Sequence, residues 1–539
     1  MTTKKPFNFA ITFLPFVTIG LLTVATIGCT SQSGNSDKAK KEDGAEITRC
    51  EELRNFTVNS DKFGLPTAGA SVTEAEIVNK PTRYCKVTGL IQAKNASDLP
   101  IRFQLNLPLN WNGKIIQFGG GGANGVVITG LENSVHLPSH APSPIEQGYA
   151  TFGGDSGHDI NDKHWSDNEQ ANANYMGESI KRTHDAATEI TKTFYSSKPQ
   201  RSYFIGGSKG GHEALVAAQR YGMDYDGVVS FYPAASAFAM QMSWARMGYT
   251  AEKNSAARLS SANAQYIKEK SLEYCDSLDG VTDGLISNTA SCLEKFSPSD
   301  LLCPATGQPE IGCLTAAQVV GLNNATSVLR FDLPLSGGVT HIGPYPVLLG
   351  ASSYGIQFTA KTNVFGMIYR SVGEEIAKTI SNGKVTSWYD FDYRAYPENV
   401  RAFSDKYDAA DTELTEFLSH GGKMIIIQGT TDMLVPSDLT TQYWLRLNTR
   451  HGKATTDFAR YYVQPGFGHG EGDFKLSVSS IDALDSWVEG HGAPSNLVAR
   501  DENPQNNGRT RPLCEYPNWP KYKGRGDINE AENYSCVSH

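Results

Sequence analysis

The sequence predicts an α/β fold interrupted by a large insertion. Strand-like and helix-like runs alternate from Asn106 onward, the pattern of a largely parallel sheet with helices on its faces. A glycine-flanked serine, Ser208, sits between one such strand and the next helix. The alternation fails from about Ala235 to His420, a stretch with four of the nine cysteines and several Pro and Gly clusters.

Each element has its own signal. Lys114–Phe118 reads as a short buried strand that ends in Gly119-Gly120-Gly121-Gly122. A second strand, Tyr149–Phe152, ends in Gly153-Gly154-Asp155. Residues 178–195 show helical spacing. Ser202–Ile205 is a strand running into Gly206-Gly207-Ser208-Lys209-Gly210-Gly211. His212–Tyr221 reads as a helix with Ala214, Leu215, Ala217, Ala218 and Tyr221 on one face. Val228–Phe231, Lys423–Ile427 and Tyr461–Val463 are further strands, and Leu476–Val488 reads as the last helix. The tail beyond Gly490 is rich in Asn, Pro and Arg and is expected to wrap the surface, pinned by Cys514 and Cys536.

The chain has 539 residues, enough for two to four domains or one large domain with an insertion. With 39% hydrophobic and 19% charged residues it can bury a core, which excludes wholesale disorder. A net charge of −9 argues against a nucleic-acid partner. At the N-terminus Lys4 and Lys5 precede an apolar stretch, Phe7–Ile27, and then Gly28 and Cys29. A basic head, an apolar body and a small residue at the cut site make an export signal. Cys29 after Gly28 resembles the lipidated first residue of a bacterial lipoprotein. An uncleaved anchor helix is the alternative, and either reading exports the chain to the cell envelope. The organisation read from these signals is residues 1–28 signal peptide, 29–48 flexible tether, 49–234 first part of the core, 235–420 insertion, and 421–539 second part of the core with the tail.

Export changes the cysteine arithmetic. Setting Cys29 aside leaves eight, an even number in an oxidising compartment. Nearest neighbours would pair as Cys50–Cys85, Cys275–Cys292, Cys303–Cys313 and Cys514–Cys536, one of 105 possible connectivities. No Cys-x-x-Cys is present to suggest zinc.

Gly206, Ser208 and Gly210 fit the G-x-S-x-G nucleophile elbow of α/β-hydrolases in its required strand-to-helix setting. In that fold the orienting acid and the histidine follow in chain order, each on a loop after a strand. Asp432 sits past the Ile425–Ile427 strand; Asp438 is the runner-up, read as the cap of the following helix. His469 lies between Gly468 and Gly470 after the Tyr461–Val463 strand, and is the expected base. His451, read in a charged loop, and the terminal His539 are expected to be solvated. The oxyanion amides are expected from Lys209 and from Gly120 or Gly121. Gly120, Gly122 and Gly125 also spell G-x-G-x-x-G, but no helical pattern follows them, so a dinucleotide site is set aside.

The insertion carries a second motif. Residues 275–286 (CDSLDGVTDGLI) hold three carboxylates among glycines, which suits a hard cation such as calcium. The loop lacks the position-12 Glu of an EF-hand.

Together these motifs resemble the tannase and feruloyl esterase family, which includes hydrolases of small terephthalate esters. The resemblance covers residues 50–536. It rests on Trp111-Asn112-Gly113-Lys114 with Gly119–Gly122, on the 202–211 segment around Ser208, and most specifically on Cys275–Ile286 with Cys292, Cys303 and 313–319 (CLTAAQV). It implies an α/β-hydrolase core and a lid that shapes a pocket for an aromatic acid. It also implies a structural calcium on Asp276, Asp279 and Asp283 with the carbonyls of Val281 and Leu285, and it supports the neighbour disulfides. One departure stands out. The family carries a cysteine just before its serine and another just after its histidine, bonded together. Here those places are Gly207 and Gly470, which predicts a loosely held histidine loop. The expected function is a serine carboxylesterase for esters of aromatic acids. Alternatives are an esterase for aliphatic or polymeric esters, or a non-catalytic ligand-binding surface lipoprotein.

Overall fold

Among the described residues eleven strands form the central sheet: β1 (Thr57–Val58), β2 (Gly69–Val78), β3 (Tyr84–Gln92), β4 (Ile101–Pro108), β5 (Lys114–Phe118), β6 (Ala150–Gly154), β7 (Arg201–Gly207), β8 (Gly227–Phe231), β9 (Lys423–Gly429), β10 (Ala459–Gln464) and β11 (Cys514–Glu515). Their order is β1-β2-β3-β4-β6-β5-β7-β8-β9-β10-β11. The structure is a computed structural model and describes residues 44–131, 136–162, 164–305, 311–351, 364–506 and 508–538. The expected export signal and Cys29 lie outside these residues. Among the described residues no helix is long and apolar enough to cross a membrane.

Pairing is parallel from β6 through β5, β7, β8 and β9 to β10. Those strands are buried on both faces, which is why they read as continuous apolar runs. Alternate residues feed opposite layers. Tyr203, Ile205, Ile425 and Ile427 pack towards Ile481, Leu484 and Trp487. Phe204, Met424 and Ile426 pack towards Ala214, Leu215, Tyr443 and Leu447. Burying each large side chain contributes about 1.5–3 kcal/mol. The strand order reverses at β5, with β6 on one side and β7 on the other. The carboxyl ends of β5 and β7 therefore face the crevice where open α/β sheets bind ligands.

Several boundaries depart from the sequence reading. The helix after Ser208 runs over Lys209–Arg220 and not His212–Tyr221, because Gly210 and Gly211 form its first turn rather than a loop. Leu476–Ser477 is a strand paired with Arg500 and Asp501, so the last helix starts only at Ser480 and spans Ser480–Val488. Strands β1–β4 form an antiparallel meander that the sequence reading did not find. The tail does more than wrap the surface. β11 extends the sheet antiparallel to β10, and Arg511 is fully buried.

Among the described residues, 235–420 add no strand to the central sheet, and their strands form one ribbon, Leu329–Arg330 with His341–Ile342. Helices Ala237–Lys253, Ser261–Cys275 and Ala316–Thr326 belong to this stretch, and its side chains build a separate apolar core. Buried Asp408 fixes its start by accepting hydrogen bonds from Ser236 Oγ and the Ala237 amide, both at 2.8 Å. Met433, Leu434, Val435 and Leu439, on the loop and helix after β9, pack into that same core. The four neighbour disulfides are all present, with Cα–Cα separations of 5.7, 5.1, 5.0 and 5.6 Å in chain order. They are the cross-links of a chain that folds outside the reducing cytosol.

Candidate active site

Ser208 stands at the end of β7 with φ 61° and ψ −116°, a strained conformation that lifts its side chain off the sheet. Its amide donates to Phe231 O at 3.0 Å, and its carbonyl accepts from the amides of His212 and Ala234 at 2.9 and 3.2 Å. The turn tolerates only glycine at its corners. A Cβ on Gly206 would lie 2.5 Å from Gly210 O, and one on Gly210 would lie 2.7 Å from Gly120 O. The first helical residue is Lys209, so its amide is one of the helix's unpaired N-terminal donors.

Asp432 is fully buried on the loop after β9. Its Oδ1 accepts the amides of Leu434 and Val435 at 2.8 and 2.9 Å. Its Oδ2 lies 2.8 Å from His469 Nδ1. That contact holds the imidazole with Nδ1–H on the carboxylate, so Nε2 is the nitrogen left for proton transfer. The other two sequence candidates sit elsewhere. Asp438 binds Gln442 in the first turn of Ser437–His451, whose N-cap is Pro436. His451 is not in a loop: it ends that helix and lies 2.9 Å from Thr412 O.

The histidine loop is not loosely held. Gly466 N donates to Thr430 Oγ1 at 3.1 Å, Thr431 N to Phe467 O at 3.0 Å and Gly468 N to Glu471 O at 2.6 Å. Phe467 is fully buried, and a Cβ on Gly429 would come 1.9 Å from Phe467 O. This close approach locks the loop carrying His469 against the end of β9. Tyr232, the residue after β8, packs its ring on His469 with centroids 4.6 Å apart. Its hydroxyl lies 2.9 Å from where a Gly207 Cβ would be and 3.5 Å from where a Gly470 Cβ would be. The neighbours of Ser208 and of His469 thus converge on one oxygen.

The oxyanion candidates divide. The Gly120 amide donates to Glu213 Oε2 at 2.9 Å and is already engaged, which leaves Gly121 as the candidate on that loop. Glu213 also accepts from Asn124 Nδ2 at 2.6 Å and pairs with Lys209 Nζ at 3.8 Å. Burial pulls the Lys209 ammonium down to about 8, with Glu213 opposing that pull. Lys209 Nζ also meets His212 Nδ1 at 3.0 Å and lies over the Tyr175 ring. Sequence reading missed Glu213 and Tyr232. The buried acid four residues after Lys209 on one helix face was the available signal for Glu213.

In the acidic loop, Asp276 accepts the amides of Asp283 and Gly284 at 3.1 and 2.9 Å. Asp283 pairs with Arg511 and accepts the Leu285 amide at 3.0 Å. Asp279 Oδ1 accepts the Val281 amide at 3.2 Å, whereas its buried Oδ2 makes no close hydrogen bond, though the Ser287 side chain eases the charge of the carboxylate. Burial, reinforced by Asp283 and Asp276, pushes the Asp279 carboxyl up to about 7. Among the described residues, His184, Asp185 and Asp224 also bring ligand atoms within 4.8 Å of one another. There the Lys181 ammonium already lies 2.7 Å from Asp185 and 3.0 Å from Asp224, so the charge is met without a metal.

The family model for tannase and feruloyl esterase matches residues 85–537. The chain belongs to this family. It is a carboxylic ester hydrolase with an α/β-hydrolase fold. An uncharacterized esterase of Agrobacterium fabrum is 32% identical over 524 residues, covering 90% of this chain and 93% of the relative. The mono(2-hydroxyethyl) terephthalate hydrolase of Piscinibacter sakaiensis is 29% identical, covering 84% and 85%. Feruloyl esterase B of Aspergillus niger is 25% identical, covering 91% and 96%. The crystal structure of feruloyl esterase B from Aspergillus oryzae superposes on 91% of this chain and 100% of its own, with TM-score 0.74 at 20% identity, a likeness of fold.

Proposed function

We propose that the protein is a serine carboxylesterase for esters of aromatic acids, working through Ser208, His469 and Asp432. The observation that carries this is the buried Asp432 held 2.8 Å from His469 Nδ1, beside a nucleophile elbow at the switch point of the sheet. His469 Nε2 takes the Ser208 proton as Oγ attacks the ester carbonyl carbon. The amides of Lys209 and Gly121 stabilise the resulting oxyanion; one such donor is worth about 10²–10³ in kcat. His469 then protonates the leaving alkoxide, and the acyl group stays on Ser208. Water, deprotonated by His469, attacks the acyl carbonyl, releases the acid and restores the serine. Asp432 keeps its charge throughout, holding the imidazole tautomer and stabilising the imidazolium.

The aromatic acyl preference is supported by relatives named for terephthalate and feruloyl esters. Residues 235–420 are read as the lid over the site, because their core reaches onto the Asp432 loop. Methyl ferulate, methyl gallate, mono(2-hydroxyethyl) terephthalate and methyl butyrate, all esters of simple alkyl alcohols, assayed side by side, test the preference. At least one aromatic acyl ester is expected to exceed the butyrate by about tenfold in kcat/KM, the scale on which pocket shape discriminates. A butyrate that outruns all three would sink the aromatic reading.

The acidic loop fits a structural calcium: three carboxylates against one arginine, with one buried oxygen that makes no close hydrogen bond. Asp276, Asp279 and Asp283 would hold the ion with the carbonyls of Val281 and Leu285, and the ion would supply charge neutralisation rather than chemistry. Calcium at about 100 times its Kd should then add about 2.7 kcal/mol of stability. EDTA should lower Tm, and Asp279→Ala should remove the calcium-dependent increment. A Tm indifferent to both would rule the site out. The basic and apolar N-terminus ending at Cys29 supports an exported, membrane-anchored enzyme, which fractionation of a Cys29→Ser variant tests.

A further inference from the structure

Tyr232 has no part in the chemistry above, yet its phenol lies where the nucleophile turn and the histidine loop meet. Gly207 precedes Ser208 and Gly470 follows His469, and the same Tyr232 oxygen faces both glycines. The tyrosine ring packs on the imidazole of His469 and, at 5.7 Å, on the buried Phe467 of the same loop. Its hydroxyl sits 2.5 Å from Nε2 of His136. His136 is fixed in turn: its carbonyl accepts the Val478 amide at 2.8 Å, and its ring meets Phe231 and Phe467 edge-on at 5.1 Å each.

The protonation states suit a fixed strut. Burial, then the nearby His469, pulls the His136 imidazolium down to about 4. Burial, then Asp432, raises the Tyr232 phenol well above its usual range. Near neutral pH a neutral phenol and a neutral imidazole nitrogen therefore share this one hydrogen bond, uncharged on both sides. The backbone points the same way. Ser208, Tyr232 and His136 have φ of 61°, 33° and 53°, three non-glycine residues in the left-handed region at one place. Such conformations persist only where their surroundings over-determine them, and they cluster at functional sites.

We infer that Tyr232, braced by His136, is a positioning residue that clamps the histidine loop onto the nucleophile turn and so sets the reach of His469 to Ser208. This rests on the proposed triad. The clamp has two parts, the ring against His469 and the hydroxyl on His136, and substitutions separate them.

The test is steady-state kinetics of Tyr232→Phe, Tyr232→Ala, His136→Ala and the double variant Tyr232→Phe with His136→Ala, with Ser208→Ala as control. An ångström of misplacement can cost about 10²-fold, so Tyr232→Ala is expected to lose about that much kcat and Tyr232→Phe about tenfold, each with KM within about twofold. His136→Ala should match Tyr232→Phe, and the double variant should be no worse, because both remove the same bond. Should Tyr232→Ala fail to fold, Tyr232→Phe carries the test. A kcat loss below about threefold in Tyr232→Phe and His136→Ala, a loss confined to KM, or single losses that multiply in the double variant would overturn the clamp. If Ser208→Ala keeps turnover, the triad reading itself falls. If Ser208→Ala is inert while the Tyr232 variants turn over normally, the clamp alone falls.

Discussion

Ser208→Ala is expected to lower kcat on a p-nitrophenyl ester by about 10⁶-fold, because without Oγ the His469–Asp432 pair has no nucleophile to activate. Folding should be spared. The substitution removes one side-chain oxygen, while the Ser208 amide and carbonyl keep their bonds to Phe231, His212 and Ala234. A Tm near that of the parent protein therefore belongs to the expected result. Residual turnover above about one part in a thousand would place the nucleophile elsewhere.

Asp432→Asn should cost about 10⁴-fold in kcat. An amide in place of the carboxylate can present Nδ2–H to the imidazole, which favours the wrong tautomer and leaves Nε2 unable to accept the serine proton. The side-chain oxygen can still accept the Leu434 and Val435 amides, so the loop should hold. Asp432→Ala is the harsher change. It leaves two buried amides unpaired, at about 1–3 kcal/mol each. A large fall in kcat with a small fall in Tm for Asn, against falls in both for Ala, separates the orienting role of Asp432 from its structural one. A kcat for Asp432→Asn within tenfold of the parent would contradict the assignment.

The parts of the fold legible in the sequence are those whose signals are local. Strands β5, β7, β8 and β9 are buried on both faces and read as unbroken apolar runs. The turn after β7 shows because neighbouring backbones come too close for any side chain at Gly206 and Gly210. Asp432 and His469 follow because the fold sets their order along the chain. Strands β2 and β3 were missed, since buried residues alternate with half-buried or exposed ones along them and no helix separates them. Leu476 and Ser477 were misread as helix because their pairing partners, Arg500 and Asp501, lie in the tail.

What the sequence concealed at the site is long-range. Glu213 is 93 residues from the Gly120 amide it engages, and His136 is 96 from Tyr232. No spacing rule relates such pairs. Nor do three glycines around His469 announce a firm loop, since the restraint comes from Thr430, Thr431 and Phe467 rather than from the glycines themselves.

The central claim is that Ser208 is the residue acylated in turnover. Treating the enzyme with an aryl phosphonate ester and mapping the adduct by peptide mass spectrometry tests it most directly. One phosphonyl group per chain, on Ser208, with activity lost in proportion, is the predicted result. Full inactivation with Ser208 unmodified, or an adduct on another side chain, would contradict it.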